Sequence, residues 1–130
     1  MAQPKPQRDI VLSDLQLDLM HILWATPDST AAEVGAWLRV KRPLAHTTVA
    51  TLLTRLEKRG LLIATREARQ IRYRAAVSKT DVRRSMVSAL LAGLFDDDAS
   101  ALLSHLVDQR AIRADELAQI RSALERKERS

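Results

Sequence analysis

The apolar residues near the start of the chain recur at the spacing of an amphipathic helix. The stripe that they form consists of Leu15, Leu19, Ile22 and Leu23. Ser13 and Gln16 are spaced as a capping box, which satisfies unpaired N–H groups where a helix begins, and Pro27 predicts where this helix ends. The polar, proline-interrupted residues 1–11 are predicted to be a flexible arm.

Two further helices are predicted before residue 60. Thr30 and Glu33 form a second capping box, and the apolar face of the short helix after them consists of Val34, Trp37 and Leu38. The third helix covers residues 46–59, and its apolar face consists of Val49, Leu52, Leu53 and Leu56. Its opposite face carries Thr47, Thr51, Thr54 and Lys58, with Arg55 beside them. Gly60 stands where a left-handed residue ends a helix.

The hydrophobic period changes from helix to strand after Gly60. Residues 62–66 are β-prone, and apolar residues alternate with arginines in residues 71–75. Residues 67–70 are predicted to be the tip of a hairpin, whose turn type stays open because no Asn-Gly or Asp-Gly pair is present. Three helices followed by a hairpin predict a winged helix-turn-helix domain over residues 1–78.

Residues 79–130 are predicted to form three short helices. Ser78 caps the first, the run Asp96 to Asp98 breaks it and caps the second, and residues 125–130 form a charged tail after the third. Their apolar residues are Val82, Met86, Leu90, Leu94, Leu102, Leu103, Leu106, Leu117, Ile120 and Leu124. Since the segment has no second core, we expect a dimerisation region that pairs with a second copy. The predicted fold class is mainly α with a small β-hairpin wing.

The composition agrees with a small, mainly helical, folded protein. The 130 residues are 46% hydrophobic, with 3% aromatic residues and three glycines, which argues against an all-β fold. The absence of cysteine excludes disulfides, thiolate metal sites and cysteine nucleophiles. No signal peptide and no apolar run of about 18 residues is present, so we expect a cytoplasmic protein without direct membrane association.

The positive charge is concentrated in one part of the chain. The formal net charge is +5, and residues 1–78 carry 12 Lys/Arg against 7 Asp/Glu, whereas residues 79–130 carry nine of each. Within residues 39–74, ten basic residues stand against Glu57 and Glu67 alone. A basic segment beside a balanced one is typical of a polyanion-binding module joined to an assembly module, although a solvated basic face has the same composition.

The third predicted helix carries side chains suited to a DNA major groove. Its N-terminal residues Thr47, Thr48, Ala50 and Thr51 offer methyl groups for thymine and hydroxyls for a base or phosphate. Further along, Arg55, Lys58 and Arg59 are placed to meet phosphates. The alternative is an ordinary solvated helix face.

The predicted wing is rich in arginine. Its cluster consists of Arg66, Arg69, Arg72 and Arg74. Arginines on a protruding hairpin can bind phosphates or enter a minor groove, but they also protect edge strands from aggregation. Because this cluster directly follows the candidate recognition helix, we favour DNA binding.

No residue pattern indicates an enzyme, a cofactor or a metal site. His21, His46 and His105 lie on separate predicted elements without metal-ligand spacing. Asp14 and Asp18 are interpreted as a solvated helix face. Trp24 and Trp37 are interpreted as core or interface residues.

Three segments resemble a known family of repressors. Residues 13–24, SDLQLDLMHILW, resemble the E-x-x-V-M-x-x-L/I-W first helix of the BlaI/MecI/CopY family of penicillinase-type repressors. Residues 46–61, HTTVATLLTRLEKRGL, resemble its TTV-x-T-x-L-x-R-L-x-x-K-G recognition helix, the most specific part of the match. Residues 72–75 are similar to the Y-x-Y/A strand that ends its wing. The resemblance as a whole covers about residues 12–125.

The resemblance implies a homodimer that represses a resistance or metal-homeostasis operon by binding an inverted-repeat operator. By position, Thr47, Thr48, Thr51 and Arg55 would face the operator, with the wing arginines on the DNA backbone. The chain lacks the Cys-x-Cys pair of the copper-responsive branch, which excludes that metal switch. In the β-lactam branch a protease pathway linked to a membrane sensor leads to cleavage at an Asn-Phe bond. The matching position here is His105-Leu106, where the asparagine is absent.

Two other functions remain open from the residues alone. The basic face would also suit a winged-helix module that binds an acidic protein, or an architectural protein that binds DNA without sequence preference. Competition by random-sequence duplex distinguishes these from an operator-binding repressor.

Overall fold

The computed structural model describes residues 10–130. Its helices and strands are α1 (Asp14–Ala25), β1 (Ser29–Thr30), α2 (Ala31–Leu38), α3 (His46–Lys58), β2 (Leu62–Glu67), β3 (Gln70–Ala75), α4 (Lys79–Phe95), α5 (Ala99–Asp108) and α6 (Ala114–Arg129). The arm predicted over residues 1–11 lies outside the described residues except for its last two. Of these, Ile10 is buried in the core, so the arm ends earlier than the sequence predicts.

Local capping bonds fix the helix starts as predicted. Gln16 N–H donates to Ser13 Oγ at 3.2 Å, and Ser13 N–H donates to Gln16 Oε1 at 2.8 Å. Thr30 and Glu33 make the same reciprocal pair at the start of α2. These bonds satisfy N–H groups that have no partner within the helix. Both predicted capping boxes are therefore confirmed.

Glycine and aspartate shape the ends of the longer helices. Gly60 has φ of +81°, which confirms the predicted left-handed residue after α3. Asp96 and Asp97 also have positive φ, and the Asp98 carboxylate accepts from Ala101 N–H at the start of α5, so the acidic break is confirmed. Helix α6 continues to Arg129 through the predicted charged tail, because basic side chains in its last turn complement the helix dipole.

The wing belongs to a three-stranded antiparallel sheet with strand order β1-β3-β2. The pairing of β2 with β3 runs from Leu62 opposite Ala75 to Glu67 opposite Gln70, which leaves a two-residue turn of Ala68 and Arg69. Strand β1, absent from the sequence prediction, pairs Ser29 with Tyr73. It is too short to carry an alternation of apolar and polar residues.

The core of the winged helix is apolar and continuous. Its buried residues are Ile10, Leu12, Leu19, Met20, Leu23, Val34, Leu38, Val49, Leu53, Leu56, Leu61, Leu62, Tyr73, Val77 and Val82. Trp37, predicted on the apolar face of α2, is 58% exposed. Val34 and Leu38 align at i, i+4, whereas Trp37 lies about 100° around the helix from Leu38. The core alternative for Trp37 was therefore wrong, and the interface alternative stays a prediction.

The described residues form two compact units, of which the first ends at Val87 and the second covers Ser88–Ser130. The first unit extends beyond the predicted winged-helix boundary at residue 78, because Val82 is buried in its core and Met86 packs against it. Val82, assigned by its spacing to the dimerisation stripe, therefore lies inside the first unit. No residue of Ser88–Ser130 is fully buried in this chain. Among residues 10–130, no helix is long and apolar enough to cross a lipid bilayer.

Candidate nucleic-acid interface

Helix α3 packs one face into the core and exposes the opposite face to solvent. Val49 and Leu53 are fully buried, and Leu56 is buried beside them. The exposed side forms a shallow groove, lined by Thr47, Thr48, Thr51, Leu52 and Arg55. The predicted base-reading threonines therefore share one surface with Arg55. Ala50 is half-buried and faces a different depression, shared with the wing turn.

The threonine hydroxyls of this face are oriented by the helix backbone. Thr51 Oγ1 donates to the Thr47 carbonyl at 2.9 Å, and Thr54 Oγ1 donates to the Ala50 carbonyl at 2.9 Å. A hydroxyl that donates to its own helix still has oxygen lone pairs for an external donor. Thr51 therefore offers a fixed methyl group and an acceptor oxygen. Thr54 is half-buried and less accessible.

Three cations extend the face toward the end of α3. Arg55 and Lys58 lie in its last turn, and Arg59 is the residue that caps it. All three are exposed, and within residues 10–130 none is in a salt bridge. Cations whose charge is not neutralised by the protein are available to phosphates.

Asp18 on α1 holds the connection that leads into α3. Its carboxylate accepts from Lys41 Nζ at 3.0 Å and from Arg42 Nε at 2.9 Å, and its side chain is only 12% exposed. The hydrogen bonds from Arg42 and then Lys41 lower the pKa of Asp18 below its ordinary value. The interpretation of Asp18 as a solvated face was wrong, because the loop before α3 folds back onto α1.

The four wing arginines fall into two groups. Arg66, Arg69 and Arg74 are exposed, and Arg69 lies in the turn. Arg72 binds other parts of the same domain. Its guanidinium donates to the Asp28 carbonyl at 3.0 Å and to Glu33 Oε1 at 3.4 Å. The pKa of Glu33 is lowered mainly by the hydrogen bond from the Thr30 backbone, with the charge of Arg72 as a smaller cause.

The histidines remain on separate elements. His21 makes an edge contact with Trp24 on α1, with ring centroids 5.3 Å apart, and His46 begins α3. His105 lies against Phe95, with centroids 5.8 Å apart. In the part of the chain that the structure describes, no three His, Cys, Asp or Glu residues are grouped as metal ligands.

The apolar stripes of the second unit are largely uncovered in the single chain. Leu90, Leu94, Leu103, Ile120 and Leu124 are between 37% and 75% exposed. The remaining predicted dimerisation residues of this unit, Leu102, Leu106 and Leu117, are half-buried. The candidate cleavage position His105-Leu106 lies within α5.

Comparisons with known proteins agree with this geometry. A family model described as penicillinase repressor matches residues 12–126. The chain belongs to the penicillinase repressor family. The predicted resemblance is thereby confirmed.

Individual relatives align with most of this chain. Transcriptional regulator BlaI of Mycobacterium tuberculosis is 36% identical over 115 residues, which cover 87% of this chain and 82% of the relative. Methicillin resistance regulatory protein MecI of Staphylococcus aureus is 20% identical over 116 residues, covering 89% and 94%. The solution structure of the DNA-binding domain of the repressor BlaI matches with a TM-score of 0.50 and 28% identity, covering 62% of this chain and 93% of that domain. The predicted winged-helix fold is confirmed.

Proposed function

We propose that this penicillinase repressor family member is a DNA-binding transcriptional repressor that acts as a homodimer on an inverted-repeat operator. The observation that carries the proposal is the exposed face of α3, where three threonines and Arg55 line one groove above a fully buried apolar stripe. A helix of this chemistry fits a B-form major groove, in which threonine contacts thymine methyls and phosphates.

The surrounding cations give the proposed interface its affinity. Arg55, Lys58 and Arg59 follow the threonines, and the exposed wing arginines Arg66 and Arg69 supply further positive charge. Phosphate contacts position a protein on DNA without reading sequence, while the threonine face reads it. We assign Arg72 to holding the wing, because its guanidinium is already bound to Asp28 and Glu33.

The second unit supplies the proposed pairing surface. It contains no fully buried residue, and its leucines remain exposed in the single chain. Burial of such stripes against an identical copy produces a two-fold axis, which matches the symmetry of an inverted repeat. The control of a resistance operon, as in the relatives named for methicillin resistance, is part of the same proposal.

Inactivation by a protease would require α5 to open. His105 and Leu106 lie within that helix, and proteases cleave transiently opened segments. In the single chain α5 contains no fully buried residue, so its local opening costs less free energy there than in the proposed dimer, where its apolar stripe is covered. Mass spectrometry of fragments from induced cells would locate the cut.

The proposal is tested by selecting DNA from a random-sequence duplex pool and measuring affinity by fluorescence anisotropy. We expect enrichment of an inverted repeat, with a log–log salt slope of about −0.9 for each neutralised phosphate. Thr51→Glu places a carboxylate in the groove of α3 and should abolish binding while leaving the dimer intact.

Thr80→Glu is the matched control, because Thr80 is exposed on α4 and lies outside that groove. It should bind within about twofold of the parent. Absence of any enriched sequence, or equal affinity of the parent and Thr51→Glu, would refute the proposal.

A further inference from the structure

A groove between α1 and α4 lies within the first unit and away from the threonine face of α3. Its walls are formed by Leu17, His21, Trp24, Lys79, Val82, Arg83, Met86 and Val87. The cavity has a volume of about 380 Å³, within the range of about 300–1,000 Å³ found for small-molecule sites. The interface proposed for DNA uses none of these residues.

The helical spacing of the lining residues explains why the groove exists. On α1 they recur at i, i+4 and i+7, and on α4 at i, i+3, i+4, i+7 and i+8, so each helix contributes one face. Trp24 Nε1 donates to the Val77 carbonyl at 2.9 Å, which fixes the indole ring. Val82 is 2% exposed, and Met86 packs against the core beside it. The floor is therefore apolar and held in place by the fold.

The rim of the groove is positively charged. Lys79 and Arg83 are one helical turn apart on α4, and His21 on α1 offers a further ring N–H. Among residues 10–130, no Asp or Glu lines the groove. Within residues 10–130, neither Lys79 nor Arg83 is in a salt bridge. Two unneutralised cations above an apolar floor attract an anion whose body is apolar.

We propose that this groove binds a small organic anion with an apolar body. Its carboxylate lies between Lys79 and Arg83, and its body packs against Trp24 and Met86. The proposed pairing surface lies in Ser88–Ser130, whereas every lining residue of the groove lies in the first unit, so we assign the groove to a small acid and not to a second copy. The volume fits one ring with a branched substituent. This site and its test are independent of the function proposed for α3.

The two tryptophans allow a direct test on the full chain. The probe is para-tert-butylbenzoate, and para-tert-butylbenzamide is its uncharged counterpart. Both indole N–H signals are followed by NMR during titration to about 10 mM, at which a site with a Kd of about 1 mM is about 90% occupied. We expect the Trp24 signal to shift and saturate with the benzoate. The exposed Trp37, which does not line the groove, should not respond.

Charge reversal separates this site from non-specific anion binding. Arg83→Glu should weaken benzoate binding about 10- to 100-fold, as expected for loss of a charge-assisted hydrogen bond. The adjacent Arg84→Glu makes the same charge change at an exposed residue outside the groove and should bind as the parent does. Equal weakening by both variants, an equal response to the benzamide, or no shift of the Trp24 signal would overturn the proposal. Dissociation of a dimer by Arg83→Glu alone would also overturn it, because a second copy would then occupy the groove.

Discussion

Asp18 joins α1 to the loop before α3 and makes the stability of the fold depend on pH. Arg42 and Lys41 favour its ionised form, so the folded-state pKa lies below the ordinary value of 3.8. A lowered pKa means that the ion pairs stabilise the fold fully above pH 3.8, and that this contribution is lost as pH falls through the folded-state value. Thermal unfolding should show Asp18→Asn less stable than the parent at neutral pH and equal to it in acid.

Asp14→Asn is the control for that experiment, because Asp14 is exposed on the same helix and forms no ion pair within the described residues. Its difference from the parent should be small at every pH. A deficit of Asp18→Asn that stays constant down to strongly acidic pH would contradict the assigned role.

Arg69 and Arg72 lie three residues apart but should respond differently to substitution. Arg69 is exposed in the wing turn, so Arg69→Ala should weaken binding to all DNA sequences alike and reduce the salt slope by about one. Arg72→Ala removes contacts with Asp28 and Glu33 and should lower the free energy of unfolding by about 1 kcal/mol. Anisotropy titrations and urea denaturation of both variants distinguish these effects. Identical salt slopes for Arg69→Ala and the parent would show that Arg69 in the wing turn does not contact DNA phosphates.

The sequence predicts the chemistry of single residues better than their partners. The threonine and cation face of α3 follows from spacing within one helix, which periodicity resolves. The partners of Asp18, Lys41 and Arg42, lie 23 and 24 residues later in the chain. The partners of Arg72 are Glu33 and Asp28, which lie 39 and 44 residues before it. Such pairs depend on tertiary folding, so no local pattern marks them.

At the level of elements, prediction succeeded where the signal is local. Both capping boxes act across three residues, and the structure contains each of them. Strand β1 has only two residues and pairs with β3 more than 40 positions later in the chain, so its sequence carries no strand period. The last turn of α6 was predicted to be a tail because its residues are charged. Basic side chains also stabilise the C-terminal end of a helix, and here they do so.

Two glycines should respond to alanine in opposite directions. Gly60 has φ of +81°, where a side chain is strained although no atom lies within 4 Å of its added Cβ, so Gly60→Ala should cost about 1 kcal/mol. Gly35 lies inside α2, and an added Cβ would meet Val49 Cγ2 at an ordinary 3.8 Å. Gly35→Ala should therefore stabilise the fold by about 0.5–1 kcal/mol through helix propensity. Urea denaturation measures both changes, and destabilisation by Gly35→Ala would show that α2 packs more tightly there.

At the level of the whole molecule, the two units bury apolar residues very differently. The first unit encloses a continuous core, while Ser88–Ser130 contains no fully buried residue and exposes Leu94 by 75%. Exposure of this kind on short amphipathic helices is expected of a segment that folds against a partner. Charge follows the same division, because the predicted winged-helix segment carries the whole net charge.

Truncation tests whether the first unit binds DNA and Ser88–Ser130 forms the dimer, and the boundary at Val87 gives the position of the truncation. A chain ending at Val87 keeps Val82 in the core, so we expect a folded monomer in sedimentation velocity. Without a linked second half-site contact, its operator affinity should fall by about 10²- to 10⁴-fold. A chain ending at Ser78 loses the buried Val82 and should be less stable by about 1.5–3 kcal/mol in urea. If the chain ending at Val87 still sediments as a dimer, pairing lies in the winged helix and not in Ser88–Ser130.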